Sequence, residues 1–373
     1  MDQRVSLHVG LPKSGTTFLQ ASLLRNRPAL RQAGNSTPAG DERMFRAAVD
    51  VRGNHKAWGL ARSEVKDGWD ALCRRARRHE GTTVVSHELL GAASERRLTA
   101  AMTMLRDLEV HVVVTARDPA RQAAAEWQEG IRHGRRLTFE EFRERVLDQS
   151  SDSDYARRFR AAQDLPGVLA RWSDAVPADR VHVVTGPPPG APDELLWHRF
   201  ADVVGFDAAA FPPAGPEDAN RSLGTDEVDL LRRVNVALDN RIVQPDYSAV
   251  VKQGYARTLL DVGRSPRPVV PPDVLDDLVV VAERWVKEID KAGYVVHGDL
   301  ADLVPAPPYP GATRHPDVVD AVGQVASATA ATAELLVELQ RHRDEVARLE
   351  TDNARLRRKR KRLRRKLKAA TGD

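Results

Sequence analysis

Val5-Ser6-Leu7-His8-Val9-Gly10-Leu11-Pro12-Lys13-Ser14-Gly15-Thr16-Thr17-Phe18-Leu19-Gln20 reads as a strand, a tight cationic loop and a helix start in direct succession. A loop of that order is built to hold an anion. The first N–H groups of a helix have no intrahelical acceptor and stand at the positive end of its dipole, so a phosphate placed there collects several hydrogen bonds at once. Lys13 adds a full charge, Ser14, Thr16 and Thr17 add hydroxyl donors, and Gly15 lets the backbone curl round the anion with no Cβ in the way. The order differs from a Walker A loop, in which Gly-Lys-Ser/Thr follows a four-residue spacer from the first glycine, because here Lys13 precedes Gly15.

Working outward, two more apolar runs bring polar residues to a strand end. Thr82-Thr83-Val84-Val85-Ser86-His87-Glu88 reads as a buried strand that delivers His87 and Glu88, and Val110-His111-Val112-Val113-Val114-Thr115-Ala116-Arg117 as another that delivers Arg117, with Arg121 one helical turn later. In open parallel sheets the ligand crevice lies outside the carboxyl ends of the strands, so the three segments point to one region. Arg180–Thr185 is a further strand, and helices are predicted from Pro192 to Val204 and from Thr225 to Leu238, with Ser222 or Thr225 as the cap of the second. Alternating strands and longer amphipathic stretches predict an α/β fold, a parallel sheet flanked by helices. Trp127 and Trp172 fall in helical stretches and read as core; Trp58 reads as packing too, with adenine stacking as its alternative.

Pro12-Lys13-Ser14-Gly15-Thr16-Thr17 behind the first strand resembles the 5′-phosphosulfate loop of sulfotransferases that use 3′-phosphoadenosine 5′-phosphosulfate (PAPS). Ser86-His87 resembles the strand end that carries the catalytic histidine of the cytosolic members. Glu88 and a missing proline depart from that element, and Glu88 is the rival base because glycan-modifying members use a glutamate. Arg117-Asp118-Pro119 resembles the 3′-phosphate motif, in which a serine eight residues further on shares the anion; this chain has Ala125 there. Asn220-Arg221-Ser222-Leu223 is similar to a late segment that closes over the nucleotide in bacterial members.

The resemblance spans residues 1 to 240 in the order of elements, and only its first motif is close in sequence. It implies a P-loop-like sheet and PAPS as co-substrate. Lys13 would stabilise the bridging oxygen, the loop from Ser14 through Gly15, Thr16 and Thr17 would hold the 5′-phosphate, and Arg117 with Arg121, and Gln122 nearby, would hold the 3′-phosphate. His87 or Glu88 would take the proton of an acceptor hydroxyl on a carbohydrate or glycolipid. Two other classes stay open. One is another P-loop-like phosphotransferase or nucleotide hydrolase, against which stand the lysine placement and the lack of a carboxylate reserved for Mg²⁺. The other is a non-catalytic coiled-coil scaffold with a decayed nucleotide site, for which Ala125 argues.

The chain of 373 residues, 42% hydrophobic, can bury a sizeable core, and a first domain is expected over 1–300. A strand within a few residues of Met1 and no apolar run near about 20 residues long predict an intracellular, cytoplasmic protein. A single cysteine, Cys73, and eleven histidines without ligand spacing predict a metal-free site. Residues 301–325, with Pro305, Pro307, Pro308 and Pro310, read as a linker. Over 326–368, Leu339, Val346, Asn353, Arg360 and Leu367 recur every seven residues, as do Leu335, His342, Leu349, Leu356 and Leu363. That is a coiled-coil pattern, and the single Asn353 predicts a parallel homodimer. Between Arg355 and Lys368 eleven of fourteen residues are Lys or Arg, and residues 333–373 carry a net +7, which leaves −3 of the chain's +4 for everything before them. Such a tail predicts attraction to an anionic membrane surface or polyanion, making the protein membrane-peripheral.

Overall fold

A computed structural model of the protein describes residues 3–38, 40–192, 194–215, 222–306 and 313–371. Six strands form a parallel sheet in the order β2-β3-β1-β4-β5-β7, comprising β1 Arg4–His8, β2 Asn35–Ser36, β3 Thr82–Ser86, β4 Glu109–Ala116, β5 Val181–Thr185 and β7 Val295–His297. The central strands are β-branched runs because both of their faces are covered. In β4, Val112, Val114 and Ala116 enter one apolar layer while Val113 enters the opposite one, the period of two that a pleated strand imposes. Each of these valines is wholly buried, worth about 1.5–3 kcal/mol relative to exposure.

Seven helices matter for the site: α1 Thr16–Arg25, α2 Asp41–Arg52, α3 Pro119–Arg132, α4 Leu195–Val204, α5 Thr225–Leu238, α6 Pro272–Ala292 and α7 Ala321–Thr371. α1 and α4 cover one face of the sheet through Leu19, Leu23, Trp197 and Phe200. The other face meets α2, α6 and the helix Leu165–Ser173, whose Trp172 is 1% exposed. α3 and α5 build a second apolar centre around Trp127, Phe139, Phe142 and Leu231, which contains no strand of the main sheet among the described residues. The chain leaves β1 for the β3 side and later crosses to β4 on the other side, so the direction of winding reverses at β1. Crevices at parallel-sheet carboxyl ends open where that reversal occurs.

One boundary and one cap differ from the sequence reading. α4 starts at Leu195 rather than Pro192, and α5 is preceded by Gly224 with no side-chain cap, Thr225 Oγ1 donating instead to Pro266 O at 3.0 Å. The body also runs past Leu300. Asp302 receives Arg199 Nη1 at 2.7 Å, Thr313–Arg314 (β8) pairs with Arg267–Pro268 (β6), and Asp317 accepts the N–H groups of Phe139 and Glu140 at 2.8 and 2.9 Å. Charged side chains spaced among the prolines find partners on the body, so 313–320 lies on its surface instead of hanging between two parts. Pro307, Pro308 and Pro310 lie outside the described residues.

α7 then begins at Ala321 and has two unlike portions. Its first turns dock on α5: Gln324 Nε2 donates to Asp229 Oδ2 at 2.8 Å, Ser327 Oγ to Glu227 Oε1 at 2.9 Å, and Ala331 is fully buried. From Leu335 onward the heptad residues Leu339, Val346, Leu349, Leu356 and Leu363 are all about half exposed or more. No helix among the described residues is long and apolar enough to cross a membrane.

Candidate functional site

The cationic loop follows β1, whose course continues one step further through Val9 N to Val113 O and Leu11 N to Thr115 O, both 2.9 Å. The chain then turns on Lys13 (φ 68°) and Gly15 (φ 95°), both left-handed, and enters α1. Gly10 and Gly15 are required. A Cβ at Gly10 would fall 2.6 Å from the Thr16 methyl and 2.8 Å from Thr115 Oγ1, and one at Gly15 would fall 2.4 Å from Leu196 on α4. No side chain caps α1, so its first-turn N–H groups keep the positive end of the dipole open.

Not all of the loop's hydroxyls face outward. Ser14 Oγ is buried, donating to Leu11 O at 2.6 Å and meeting Thr115 Oγ1 at 2.7 Å. Thr16 is buried against Gly10, while Thr17 is exposed. The sequence reading of Ser14 and Thr16 as hydroxyl donors to an anion is therefore corrected: the neighbouring strand claims the first, and packing encloses the second. Ser14 belongs to a buried chain that continues from Thr115 Oγ1 to His8 Nε2 (3.0 Å) and from His8 Nδ1 to Ser86 Oγ (2.8 Å). Burial, with His87 nearby, pushes His8 down to about 3, so it is neutral and ties the ends of β1, β3 and β4 to the loop.

Lys13 Nζ is not free. It sits 2.7 Å from Glu129 Oε2 on α3, whose Oε1 also receives Lys252 Nζ at 2.8 Å and meets His133 Nε2 at 2.9 Å. Burial alone would raise the Glu129 carboxyl, but the His133 hydrogen bond and the charges of Lys13 and Lys252 hold it well below the ordinary carboxylate range. One turn earlier, burial pushes Glu126 up to about 7 against the lowering effect of Lys13. Gln122 Nε2 donates to Pro12 O at 3.1 Å. Gln122 thus faces the loop and is not beside Arg117 as a phosphate donor.

A second row of the same helix looks into a cavity of about 630 Å³, lined by Arg117, Arg121, Ala125, Gln128, Ser222 and Ser265 among others. Arg117 Nη2 donates to Arg121 O at 2.7 Å, and Arg121 pairs with Asp118 and donates to Pro187 O at 3.0 Å. Arg117 Nε and Arg121 Nη2 are buried with no hydrogen-bond partner among the described residues. Burial and the neighbouring Arg121 charge push Arg117 down to about 10, still cationic at neutral pH. Ala125 lines this cavity with no group to offer an anion; Ser222 lines it as well, while Ser265 donates its hydroxyl to Glu227 and accepts the Asp226 N–H. Asn220 lies outside the described residues.

His87 lines a third space, about 270 Å³, with Gln20, Asp41, Glu42, Met44, Phe45 and Ser86. Its Nδ1 accepts Leu89 N–H at 3.2 Å, so the neutral ring carries its proton on Nε2, the nitrogen left for a ligand. Burial lowers its pKa although Glu88 and Asp41 oppose that. Glu88 Oε2 receives Gln20 Nε2 at 3.3 Å and stands 3.6 Å from His87 Nδ1. Trp58, 42% exposed, meets Phe45 edge-on at 5.1 Å, and Phe45 lies 5.8 Å from the His87 ring, so this tryptophan belongs to the His87 side rather than to the arginine cavity.

The chemistry-bearing residues thus gather at the carboxyl ends of β1, β3 and β4, but Lys13, Arg117 and His87 face three adjoining spaces. Sequence reading missed Glu126, Glu129 and Lys252. The signal available was the row Gln122, Glu126, Glu129, His133, spaced 4, 3 and 4 along the helix that follows Arg117. Among the described residues no group of three or more His, Cys, Asp or Glu is placed to hold a metal ion. Comparison with models of known protein families finds no match. Comparison with curated proteins finds none either.

Proposed function

We propose that the protein is a P-loop-like sulfotransferase that moves a sulfuryl group from PAPS to an acceptor hydroxyl on a carbohydrate or glycolipid. The observation that carries this reading is Arg117, a strand-end side chain that lines a cavity of nucleotide size and whose buried Nε has no partner among the described residues. Burying such a donor without an acceptor costs about 1–3 kcal/mol or more, a penalty that a bound 3′-phosphate would remove through forked N–H···O bonds. The uncapped start of α1 behind Lys13 supports a second phosphate on the same ligand. Of the serines that line the cavity, Ser222 is the candidate to stand in for the one missing at Ala125, since the Ser265 hydroxyl is held by Glu227 and the Asp226 N–H.

In the mechanism, the acceptor oxygen forms its bond to sulfur as the bond between sulfur and the bridging oxygen breaks, and 3′-phosphoadenosine 5′-phosphate leaves as the anion. Lys13 neutralises the charge that develops on the bridging oxygen. Of the two candidate bases, Glu88 is favoured. The Leu89 amide occupies the one lone pair of the neutral His87 ring, so His87 donates from Nε2 and orients the acceptor, while Glu88 takes its proton. Exposed Trp58 beside this space supports a sugar ring stacking on its face.

The C-terminal helix joins two chains in parallel through its heptads, and its basic end holds the enzyme to an anionic membrane surface or polyanion, keeping it cytoplasmic or membrane-peripheral. Vesicles containing anionic lipid should sediment the full chain and leave a form lacking the last twenty residues in solution; equal sedimentation removes the tether.

The test of the activity is calorimetric titration with 3′-phosphoadenosine 5′-phosphate, adenosine diphosphate, and adenosine triphosphate with Mg²⁺. Metal-independent binding that needs the 3′-phosphate and falls about 100-fold in Arg117→Ala supports the sulfotransferase. Preference for the triphosphate with Mg²⁺ would make the protein a phosphotransferase, and no nucleotide binding would make it a scaffold.

A further inference from the structure

Glu129 is an unusual residue to find beside an anion-binding loop, because a carboxylate there competes with the anion. Its two oxygens each hold a lysine ammonium, Lys13 at 2.7 Å and Lys252 at 2.8 Å, and His133 stands 2.9 Å from the second oxygen. Lys252 also lies 2.7 Å from His133 Nε2. These groups come from three separate places: the loop after β1, the end of α3, and the wide π-helical turn Ser248–Tyr255. The Lys13, Lys252 and Glu129 side chains are about one-fifth to one-quarter exposed and His133 more so, which leaves the cluster open to a solute.

We propose that Glu129 fills, in the free protein, an oxyanion site formed by Lys13, Lys252 and His133, and that a phosphate or sulfate group of the ligand displaces it and is held by both lysines. A carboxylate and a phosphate each present two acceptor oxygens close together, so the pair of ammonium groups that grips one can grip the other. Lys252 is then a ligand contact, although it lies 239 residues from Lys13 in the chain. Arg132 Nη1 already stands 3.6 Å from Glu129 Oε2, so the displaced carboxylate keeps a cation beside it. Glu126, raised to about 7, is about half protonated at neutral pH and largely uncharged below it, which reduces its repulsion of the incoming anion. The internal carboxylate lowers the fraction of molecules competent to bind, and apparent affinity falls by that fraction.

The inference rests on the anion-binding reading of the loop, and not on which nucleotide carries the anion. Its experiment therefore uses inorganic phosphate, titrated into the full chain at two salt concentrations. Glu129→Gln should bind phosphate about tenfold tighter than the parent, and Lys252→Met about tenfold weaker with a shallower salt dependence. A purely structural ion pair predicts the opposite for the first variant, because loosening Lys13 and Lys252 would weaken any site they form. Equal or weaker phosphate binding by a folded Glu129→Gln overturns the proposal, as does unchanged binding by Lys252→Met. If Glu129→Gln does not fold, Lys252→Met decides, its thermal melt reporting that it is native. Calorimetry with 3′-phosphoadenosine 5′-phosphate tests the sulfotransferase reading separately: tighter inorganic phosphate binding by Glu129→Gln without any preference for the 3′-phosphate keeps this inference and removes that reading.

Discussion

Two polar rows carry charge in opposite states, one on α3 and the other running into α3 from Arg117, just past the end of β4. The row of Gln122, Glu126 and Glu129 faces the cationic loop, where Gln122 Nε2 donates to Pro12 O and the Glu129 carboxylate is shared by two lysines, and only Gln122 Oε1 is left buried without a partner among the described residues. The row of Arg117, Arg121 and Ala125 faces a cavity of about 630 Å³ and keeps two buried donors unanswered among the described residues. The two rows show that a polar residue at a strand end signals a ligand only to the extent that the fold leaves it a vacancy. Lys13, the most suggestive residue in the sequence, is the more occupied of the two cations, and Arg117 the less.

Three changes would break or sharpen this contrast. The largest effect concerns Glu126. Its carboxyl is raised to about 7 in the folded protein against an ordinary value near 4.5, so the folded state holds the extra proton between those limits and stability falls as pH climbs from about 4.5 through about 7. Glu126→Gln should abolish that loss and gain up to about 3 kcal/mol at pH 8, read from denaturant melts at pH 5 and pH 8. An unchanged pH profile would mean that the row is more solvated than its packing indicates. Next, Glu129→Gln should lower thermal stability by about 2 kcal/mol, because Lys13, Lys252 and His133 lose their shared carboxylate. No change in the melt would place the ion pairs among those that contribute little, and the two rows would cease to differ. Smallest is Ala125→Ser, which adds one hydroxyl to the wall of the arginine cavity. Affinity for 3′-phosphoadenosine 5′-phosphate should rise about two- to fivefold by calorimetry, the worth of about one neutral hydrogen bond. Weaker binding would show that the 3′-phosphate lies elsewhere.

Much of the scaffold was legible because it depends on local pattern. The apolar runs ending at Ser86, Ala116 and Thr185 are strands of a parallel sheet, and α5 spans Thr225–Leu238 as its periodicity indicates. Strand-end position is likewise a local property, which is why Lys13, His87, Glu88 and Arg117 gather at one edge. What each of them touches is not local. Glu129 lies 116 residues from Lys13 and 123 from Lys252, and nothing in the intervening sequence says which cation it will choose. The direction of Ser14 is set by Thr115, a residue that looks from its own strand like one more buried β-branched side chain. The contacts of Arg314 and Asp317 were hidden for a related reason: proline content reports stiffness, while these two side chains reach partners far away in the chain.

The C-terminal helix has a consequence for the crevice itself. Residues 333–371 rise about 58 Å from the surface on which the first turns of α7 are docked. At physiological ionic strength a charge is screened over about 8 Å, so the basic tip and the crevice are separated by several screening lengths. The chain's isoelectric point near 9.3 is therefore set largely by a remote rod end, and the potential felt by an approaching anion is set by Lys13, Arg117 and their neighbours on a body of net charge −3. Adding or deleting tail arginines should redirect where the protein settles while leaving the rate of ligand capture untouched, so address and chemistry are free to drift independently.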